Sequence, residues 1–323
     1  MNFFLPFKHE PGSFKISLGH SFLSIGSCFS THLASYLKDF KFKVLDNPLG
    51  ILYNPLSIIE TLQNALDNTI EESCIIERDG LFYYYQAHSS IVAESKKELL
   101  NILEIKNKDI KSALATLDHL VITWGTAWAF THIKLDKCIA NCHKMPEELF
   151  KRTLIESQRI ILAMETFLEN LLAINPNLKI TLTVSPVRHT KLGLSNNIIG
   201  KAELVKASLL LSKDSKNIHY FESYELVIDV LRDYRFYESD LIHPNQQAID
   251  FVLGNFNDVF FDKKTHSFVK EWREITTSLR HKAFNPLSVK HQLFLVKLRE
   301  RLISVNSKVN IQEELQQIDG LIQ

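Results

Sequence analysis

Short apolar runs alternate along this chain with longer segments of helical spacing. Phe22 to Ile25 is a run of strand length that stops at Gly26-Ser27. Leu33, Tyr36, Leu37 and Phe40 follow at the spacing of one helix face. Asn54-Pro55 has the form of an N-cap and first helical residue, opening a helix through about Leu66. Leu81 to Tyr85 is aromatic and strand-like, and Leu120 to Thr123 is a short run ending at Trp124-Gly125. Pro146 opens the longest helical pattern, with Phe150, Leu154, Ile161, Met164, Phe167 and Leu171 spaced by three, four or seven. Lys179 to Val184 reads as the next strand and stops at Ser185-Pro186. Glu203 to Leu211 reads as helix and His219 to Phe221 as a short strand. Ser223 is placed to cap a helix through about Asp233, and a last helix starts near Pro244 and runs through Ala248, Ile249 and Val252.

Strands alternating with helices of this length predict a parallel sheet covered on both faces, an α/β/α sandwich. Beyond about Lys263 the chain turns charged and keeps only helical periodicity. The expected organisation is therefore one domain over residues 1–262 and a helical C-terminal extension over 263–323, packed on that domain or on a second subunit, which makes a homodimer an expectation.

Composition narrows the class. With 45% hydrophobic and 23% charged residues the chain is that of a globular protein, and its 323 residues suffice for one large domain. Lysine plus arginine equals aspartate plus glutamate at 37 each, so no net field favours nucleic acid or an anionic membrane as a partner. No stretch approaches the roughly 20 apolar residues that span a bilayer. Met1 to Glu10, broken by Pro6 and Lys8, does not read as a leader. Four irregularly placed cysteines suggest no disulfide framework, and a cytoplasmic protein is expected.

In open parallel sheets, ligands bind beyond the carboxyl ends of the strands. Four segments map to that edge: Gly26-Ser27-Cys28, Trp124-Gly125-Thr126, Ser185-Pro186-Val187-Arg188-His189 and Asp240-Leu241-Ile242-His243-Pro244. A serine hydroxyl must lose its proton to a base as it attacks, and an imidazole can take that proton and return it to the leaving group. A carboxylate on the other ring nitrogen fixes the tautomer. Ser27, His243 and Asp240 supply that set. The tetrahedral intermediate needs donors for its oxyanion. The backbone N–H of Ser27 is one candidate, and Gly50 and Thr126 are others. Gly-Ser after a strand is also the mark of a plain turn, and Asp-x-x-His is common, so only the joint placement argues for chemistry.

The blocks carrying these residues resemble, in order, those of the GSCFA-domain family, which is grouped by resemblance with the SGNH (GDSL-type) hydrolases. Ile25-Gly26-Ser27-Cys28-Phe29-Ser30 resembles the signature that names the family, with serine in place of the final alanine. Asn47 to Pro55, Thr123 to Trp128, Asn141-Cys142-His143-Lys144, Ser185 to His189, Leu231 to Tyr237 and Asp240 to Pro244 resemble later blocks, over roughly Phe22 to Phe260. The resemblance implies a flavodoxin-like three-layer fold and serine esterase or acyltransferase chemistry on an acyl ester, acetyl in the simplest case. By analogy within the class that ester would be a carbohydrate's. Ser27 would stand for the serine of the Gly-Asp-Ser motif, and Asp240 and His243 for the C-terminal Asp-x-x-His. Two departures stand out: no aspartate precedes Ser27, and Gly125-Thr126 replaces a Gly-x-Asn whose asparagine donates to the oxyanion. Thr126 or Asn141 is left to take that role.

Other readings compete. Cys28 is an alternative nucleophile. Cys138, Cys142 and His143 lie close enough in sequence for a zinc site, although their spacing fits no familiar module. Asn141, His143, Arg188 and His189 read either as substrate-binding groups, with Arg188 suited to an anion, or as braces for loops. Tyr83 to Tyr85, Trp124 and Trp128 read as core. Arg232, Asp233 and Arg235 read as loop ion pairs. Two wider alternatives remain beside the serine enzyme, which needs no cofactor: a ligand-binding module without turnover, and a metal-dependent hydrolase built on His143, His189 and His243.

Overall fold

The computed structural model describes residues 7–10, 12–213 and 215–322. The reading of the chain start as free of a leader falls in part on residues 1–6, outside the described residues.

In chain order, strand β1 (Ser21–Gly26) leads through Ser27 into helix α1 (Cys28–Asp39), then β2 (Lys43–Asp46) and α2 (Pro55–Asp67). A small antiparallel sheet of β3 (Ile75–Arg78), β4 (Leu81–Tyr84) and β5 (Val92–Ala93) precedes α3 (Lys96–Thr116). Next come β6 (His119–Trp124) and a second antiparallel sheet of β7 (Trp128–His132), β8 (Lys137–Ile139) and β9 (Phe150–Leu154). Then follow α4 (Ser157–Ile174), β10 (Lys179–Val184), α5 (Leu194–Lys213), β11 (Ile218–Phe221) and the single turn α6 (Ser223–Glu225), which widens into a π-helical turn over Leu226–Leu231. Helices α7 (Gln246–Phe260), α8 (Lys263–Arg280), α9 (Val289–Ser304) and α10 (Gln312–Asp319) complete the chain.

β1, β2, β6, β10 and β11 form one parallel sheet in the order β11-β10-β6-β1-β2. β1, β6, β10 and β11 are buried along nearly their whole length and so need no charged or exposed face, whereas β2 at the edge is half-exposed. Leu23, Ile25, Leu120 and Ile122 turn to the face covered by α2, α3, α4 and α5. Phe22 and Val121 turn to the opposite face, covered by α1 and α7. The expected α/β/α sandwich is thus present. Numbered among themselves the parallel strands run 2-1-3-4-5, the flavodoxin-like order, and their connections reverse between β1 and β6. The crevice for a ligand is expected at that reversal, where Ser27 and Gly125 lie.

Capping explains several boundaries. Asn54 caps α2 through Ser57 N–H with Pro55 as its first residue, as the sequence predicts, and Asn245 caps α7 through Ala248 N–H. Two elements differ from expectation. The helix predicted from Pro146 begins only at Ser157. Phe150 to Leu154 pairs instead with β7, since Phe150 and Leu154 match a strand of period two as well as a helix turn. The helix predicted from Ser223 to Asp233 is a single turn running into the π-helical turn, which Arg232 ends at a φ of +55°.

The C-terminal helices are integral to the core. Phe268, Trp272, Leu298, Leu302 and Ile318 are buried in the same apolar cluster as Leu33 and Leu37 of α1 and Phe256 of α7. Trp272 Nε1 donates to Asp39 O at the end of α1 (2.8 Å), and Lys41 pairs with Glu314 (2.7 Å). No helix among the described residues is long and apolar enough to cross a membrane.

Candidate active site

The β1–α1 turn depends on a glycine. Gly26 has a φ of +137°, and a Cβ there would stand 2.1 Å from the carbonyl oxygen of Thr123 on β6. The Asn47–Asn54 segment fixes this turn. Asn47 Oδ1 accepts from Gly26 N–H (2.9 Å), its amide donates to Ser30 Oγ (2.7 Å), and Leu52 N–H donates to Gly26 O (2.9 Å). The carbonyl of Tyr53 accepts from both Gly125 N–H (2.8 Å) and Thr126 N–H (3.1 Å), tying the end of β6 to the same segment.

Ser27 occupies the N-cap position of α1, yet its hydroxyl makes no capping bond. Ser27 is fully buried, and its Oγ has no hydrogen-bond partner. An unpartnered hydroxyl at a helix N-terminus faces positive potential, a setting that favours developing negative charge. The backbone N–H of Ser27 is committed to Thr123 O (3.0 Å), so it is not the oxyanion donor the sequence suggests. Gly50 N–H is likewise committed to Asn47 O (2.7 Å). Thr126 Oγ1 accepts from Trp128 N–H (3.1 Å), which leaves its own proton available to donate.

Asp240 and His243 form a hydrogen-bonded pair, Nδ1 to Oδ2, at 2.6 Å. The other carboxylate oxygen accepts from Ile242 N–H (2.9 Å) and His243 N–H (3.0 Å). The His243 backbone bond, the His243 ring and then the Ile242 bond hold the Asp240 carboxyl down at about 2. Leu241, between them, adopts a φ of +58°, unusual for a residue with a side chain. The loop is tied to the end of β10: Arg188 N–H donates to Ile242 O (3.3 Å) and the guanidinium to Leu241 O (3.1 Å). That guanidinium also lies over Tyr237, 4.2 Å from the ring centre. Arg188 therefore braces the His243 loop.

The His243 loop lies within electrostatic reach of α1. Burial lowers the pKa of His32 on α1, and the charge of nearby His243 lowers it further. His189 is pushed down to about 3 by burial first, then by Lys201 and His243. It stays neutral at pH 7, edge-on to Tyr53 (5.3 Å), with a buried Nε2 that has no partner. No hydrogen bond joins Ser27 Oγ to His243 in this structure. Cys28 is half-buried, and burial raises its thiol pKa more than Lys201 lowers it, so it remains a thiol at neutral pH and a poor rival to Ser27.

Asn141 and His143 sit in a turn against β4. Asn141 accepts from His143 N–H (2.9 Å) and donates to Ser89 Oγ (2.9 Å). His143 is buried, its Nε2 on Tyr84 O (2.8 Å) and its ring 5.0 Å from that of Tyr83. Both take part in bracing this loop. His143 Nε2 is taken up by Tyr84 O. Among the described residues no three His, Cys, Asp or Glu side chains are grouped to hold a metal, and Cys138 Sγ contacts Asn54 instead (3.4 Å). Trp124, Tyr84 and Tyr85 are core, and Arg235 pairs with Asp233 at the surface (2.9 Å), as expected.

Sequence reasoning misses Lys201. It is fully buried on α5, with Nζ on the carbonyls of Gly125 (2.7 Å) and Ser185 (2.6 Å), and burial draws its pKa down to about 7. The signal was present in the spacing: Asn197, Lys201, Leu204, Ser208 and Leu211 share the inward face of α5, but a helix read only from Glu203 leaves Lys201 outside it.

Fold and site together define an α/β protein with a buried serine at the reversal point of a parallel sheet and an Asp–His pair on a loop tied to the end of its strand β10. The chain belongs to the GSCFA family, whose profile matches residues 21–256; a second profile, the GSCFA domain protein C-terminal domain, matches residues 272–323. No curated protein matches the chain.

Proposed function

We propose that the protein is a serine esterase or acyltransferase of the SGNH type, working through an acyl-enzyme on Ser27. The observation that carries this reading is the 2.6 Å Asp240–His243 bond, on a loop tied to the end of β10, together with a buried, unpartnered serine hydroxyl at the end of β1. In the proposed reaction Ser27 Oγ attacks the ester carbonyl carbon while its proton passes to His243 Nε2. Asp240 holds Nδ1 protonated and steadies the imidazolium. Collapse of the tetrahedral intermediate breaks the bond to the alcohol, which leaves with the proton from His243. Water or a second alcohol then repeats the sequence on the acyl-enzyme, giving acid or a new ester and restoring Ser27. The oxyanion would be held by N–H groups of the first turn of α1 and by the Thr126 hydroxyl.

The Ser27–His243 bond would form on substrate binding, as catalytic hydrogen bonds in empty sites are often long. Small acyl esters, carbohydrate esters among them, are the proposed substrates. A cytoplasmic setting is consistent with Cys28, Cys74, Cys138 and Cys142 all being free thiols. The complete burial of Ser27 favours one second reading, a ligand-binding module without turnover.

Fluorophosphonate labelling read by intact mass separates the two, because the probe needs an activated serine and not merely a pocket. One adduct in wild type, absent in Ser27→Ala and His243→Ala, together with p-nitrophenyl acetate turnover lost in both variants, is expected. Folded wild type that takes no label and turns over no ester would sink the enzyme reading.

A further inference from the structure

Lys201 presents a problem of physical chemistry. Moving an ammonium group from water into a protein interior is costly, and such groups are normally found with a carboxylate. The hydrogen-bond partners of Lys201 Nζ are two main-chain carbonyls, Gly125 O and Ser185 O, and the ring of Tyr224 lies 5.6 Å away. Two neutral acceptors are a weak reason to bury an amine where a leucine would pack, so the position of those acceptors matters.

Strand register locates them. Gly26 pairs with Thr123, and Thr123 with Thr183, so Ser27, Trp124 and Val184 stand in the next row and Gly125 and Ser185 in the row beyond. Lys201 Nζ therefore spans β6 and β10 one row past the nucleophile. Gly125 is held from the other side as well: its N–H is on Tyr53 O, and a Cβ on it would come within 3.0 Å of Tyr53. The Gly125-Thr126 segment is thus clamped at its N–H groups by Tyr53 and at its Gly125 carbonyl by Lys201. Gly200, next to Lys201, lets α5 approach closely: a Cβ there would stand 3.0 Å from Trp128 of β7.

We propose that Lys201 is a positioning residue of the Ser27 site, fixing the Gly125-Thr126 segment so that Thr126 faces the oxyanion. The proposal rests on the serine-enzyme reading. Lys201 contacts neither substrate nor nucleophile; it sets the geometry of a group that does. Displacing a catalytic group by about 1 Å costs about 100-fold in rate while leaving the ground-state complex little changed.

Lys201→Met keeps the length of the side chain and removes the clamp. With p-nitrophenyl acetate, kcat is expected to fall about 100-fold with KM within about threefold, while the melting temperature stays close to that of wild type. Lys201→Ala leaves a channel the size of a short alkylamine, and n-propylammonium is expected to restore at least a tenth of wild-type kcat, whereas tetramethylammonium restores nothing. Wild-type kcat in folded Lys201→Met overturns the proposal. A kcat loss that merely tracks loss of folded protein, with no response of Lys201→Ala to propylammonium, overturns it too. Wild type that neither labels nor turns over removes the serine reading itself, an outcome distinct from an active wild type indifferent to Lys201.

Discussion

Replacing Gly26 by alanine probes both the sheet and the site. Two costs add. A positive φ carries about 1–2 kcal/mol for a residue with a Cβ. The new methyl also meets Thr123 O at 2.1 Å, and that oxygen belongs to the β6 backbone and cannot rotate away. Forcing a methyl into packed structure costs about 1–3 kcal/mol, so the expected loss is about 2–5 kcal/mol of a total of about 5–15. Gly80→Ala is the control, since Gly80 has a φ of +76° with nothing within 4 Å of its Cβ position, and it should show the backbone cost alone. In urea, with a slope of about 3 kcal/mol per M, Gly26→Ala should lower the midpoint by about 0.7–1.7 M. Gly80→Ala should shift it by about a third to two thirds of a molar. Because Thr123 O also accepts Ser27 N–H, fluorophosphonate labelling should fall with the Gly26 change and not with the Gly80 change. Equal midpoints for the two variants would refute the close approach of β1 and β6 on which the site geometry depends.

Other outcomes follow from the same reasoning. His119 is buried beside His20 (2.8 Å), and its pKa is pushed down to about 3 by burial first and then by His20. Its folded value lies below the unfolded 6.5, so acidification protonates the unfolded chain first, and stability is lost as pH falls from about 6.5 toward 3. Between pH 7.5 and 5 this amounts to about 2 kcal/mol; in His119→Gln the measured pH dependence of unfolding should flatten by that amount, and an unchanged slope would mean that folded His119 is protonated at pH 5. Asp240→Asn keeps an oxygen for the Ile242 and His243 N–H groups but offers Nδ1 a donor where it needs an acceptor, so labelling and turnover should drop at least about 100-fold with stability little changed; near-normal turnover would remove Asp240 from the mechanism. Leu241→Val should lower stability by about 1 kcal/mol and Leu241→Gly should not, although an exposed leucine would ordinarily be indifferent to either change; thermal unfolding of the pair checks this.

Four of the five strands of the central sheet were legible because they are buried and largely apolar, and the glycine and serine at their ends mark where the chain leaves the core; the half-exposed edge strand β2 was not. Ser27 and the Asp240–His243 pair were legible for the same reason: each sits at a strand end or helix start that periodicity locates. Of the two antiparallel sheets only β4 was legible, as the aromatic run from Leu81. β9 is five residues long, and Phe150 and Leu154 satisfy a helix turn and a period-two strand equally well, so only pairing with β7 decides. The donors proved unreadable for a different cause. Whether Gly50 or Ser27 N–H is free depends on acceptors, Asn47 O and Thr123 O, that tertiary structure brings up. His143 is legible as a polar residue in a matching block, but the bond of its ring to Tyr84 O, between residues 59 apart in sequence, is not.

The bond from Trp272 to Asp39 O couples parts of the molecule that the chain keeps far apart. Helix α1 is a rod of 12 residues, about 18 Å long, with the candidate nucleophile at its first end and the C-terminal helices gripping its last. A helix yields little along its axis, so a push or pull on α8 arrives at the serine as displacement and is not absorbed on the way. The helices from Lys263 onward thereby act as the anchorage of the candidate site. A fragment cut before α8 would keep every residue of the proposed chemistry and lose the fixed point against which the serine is aimed.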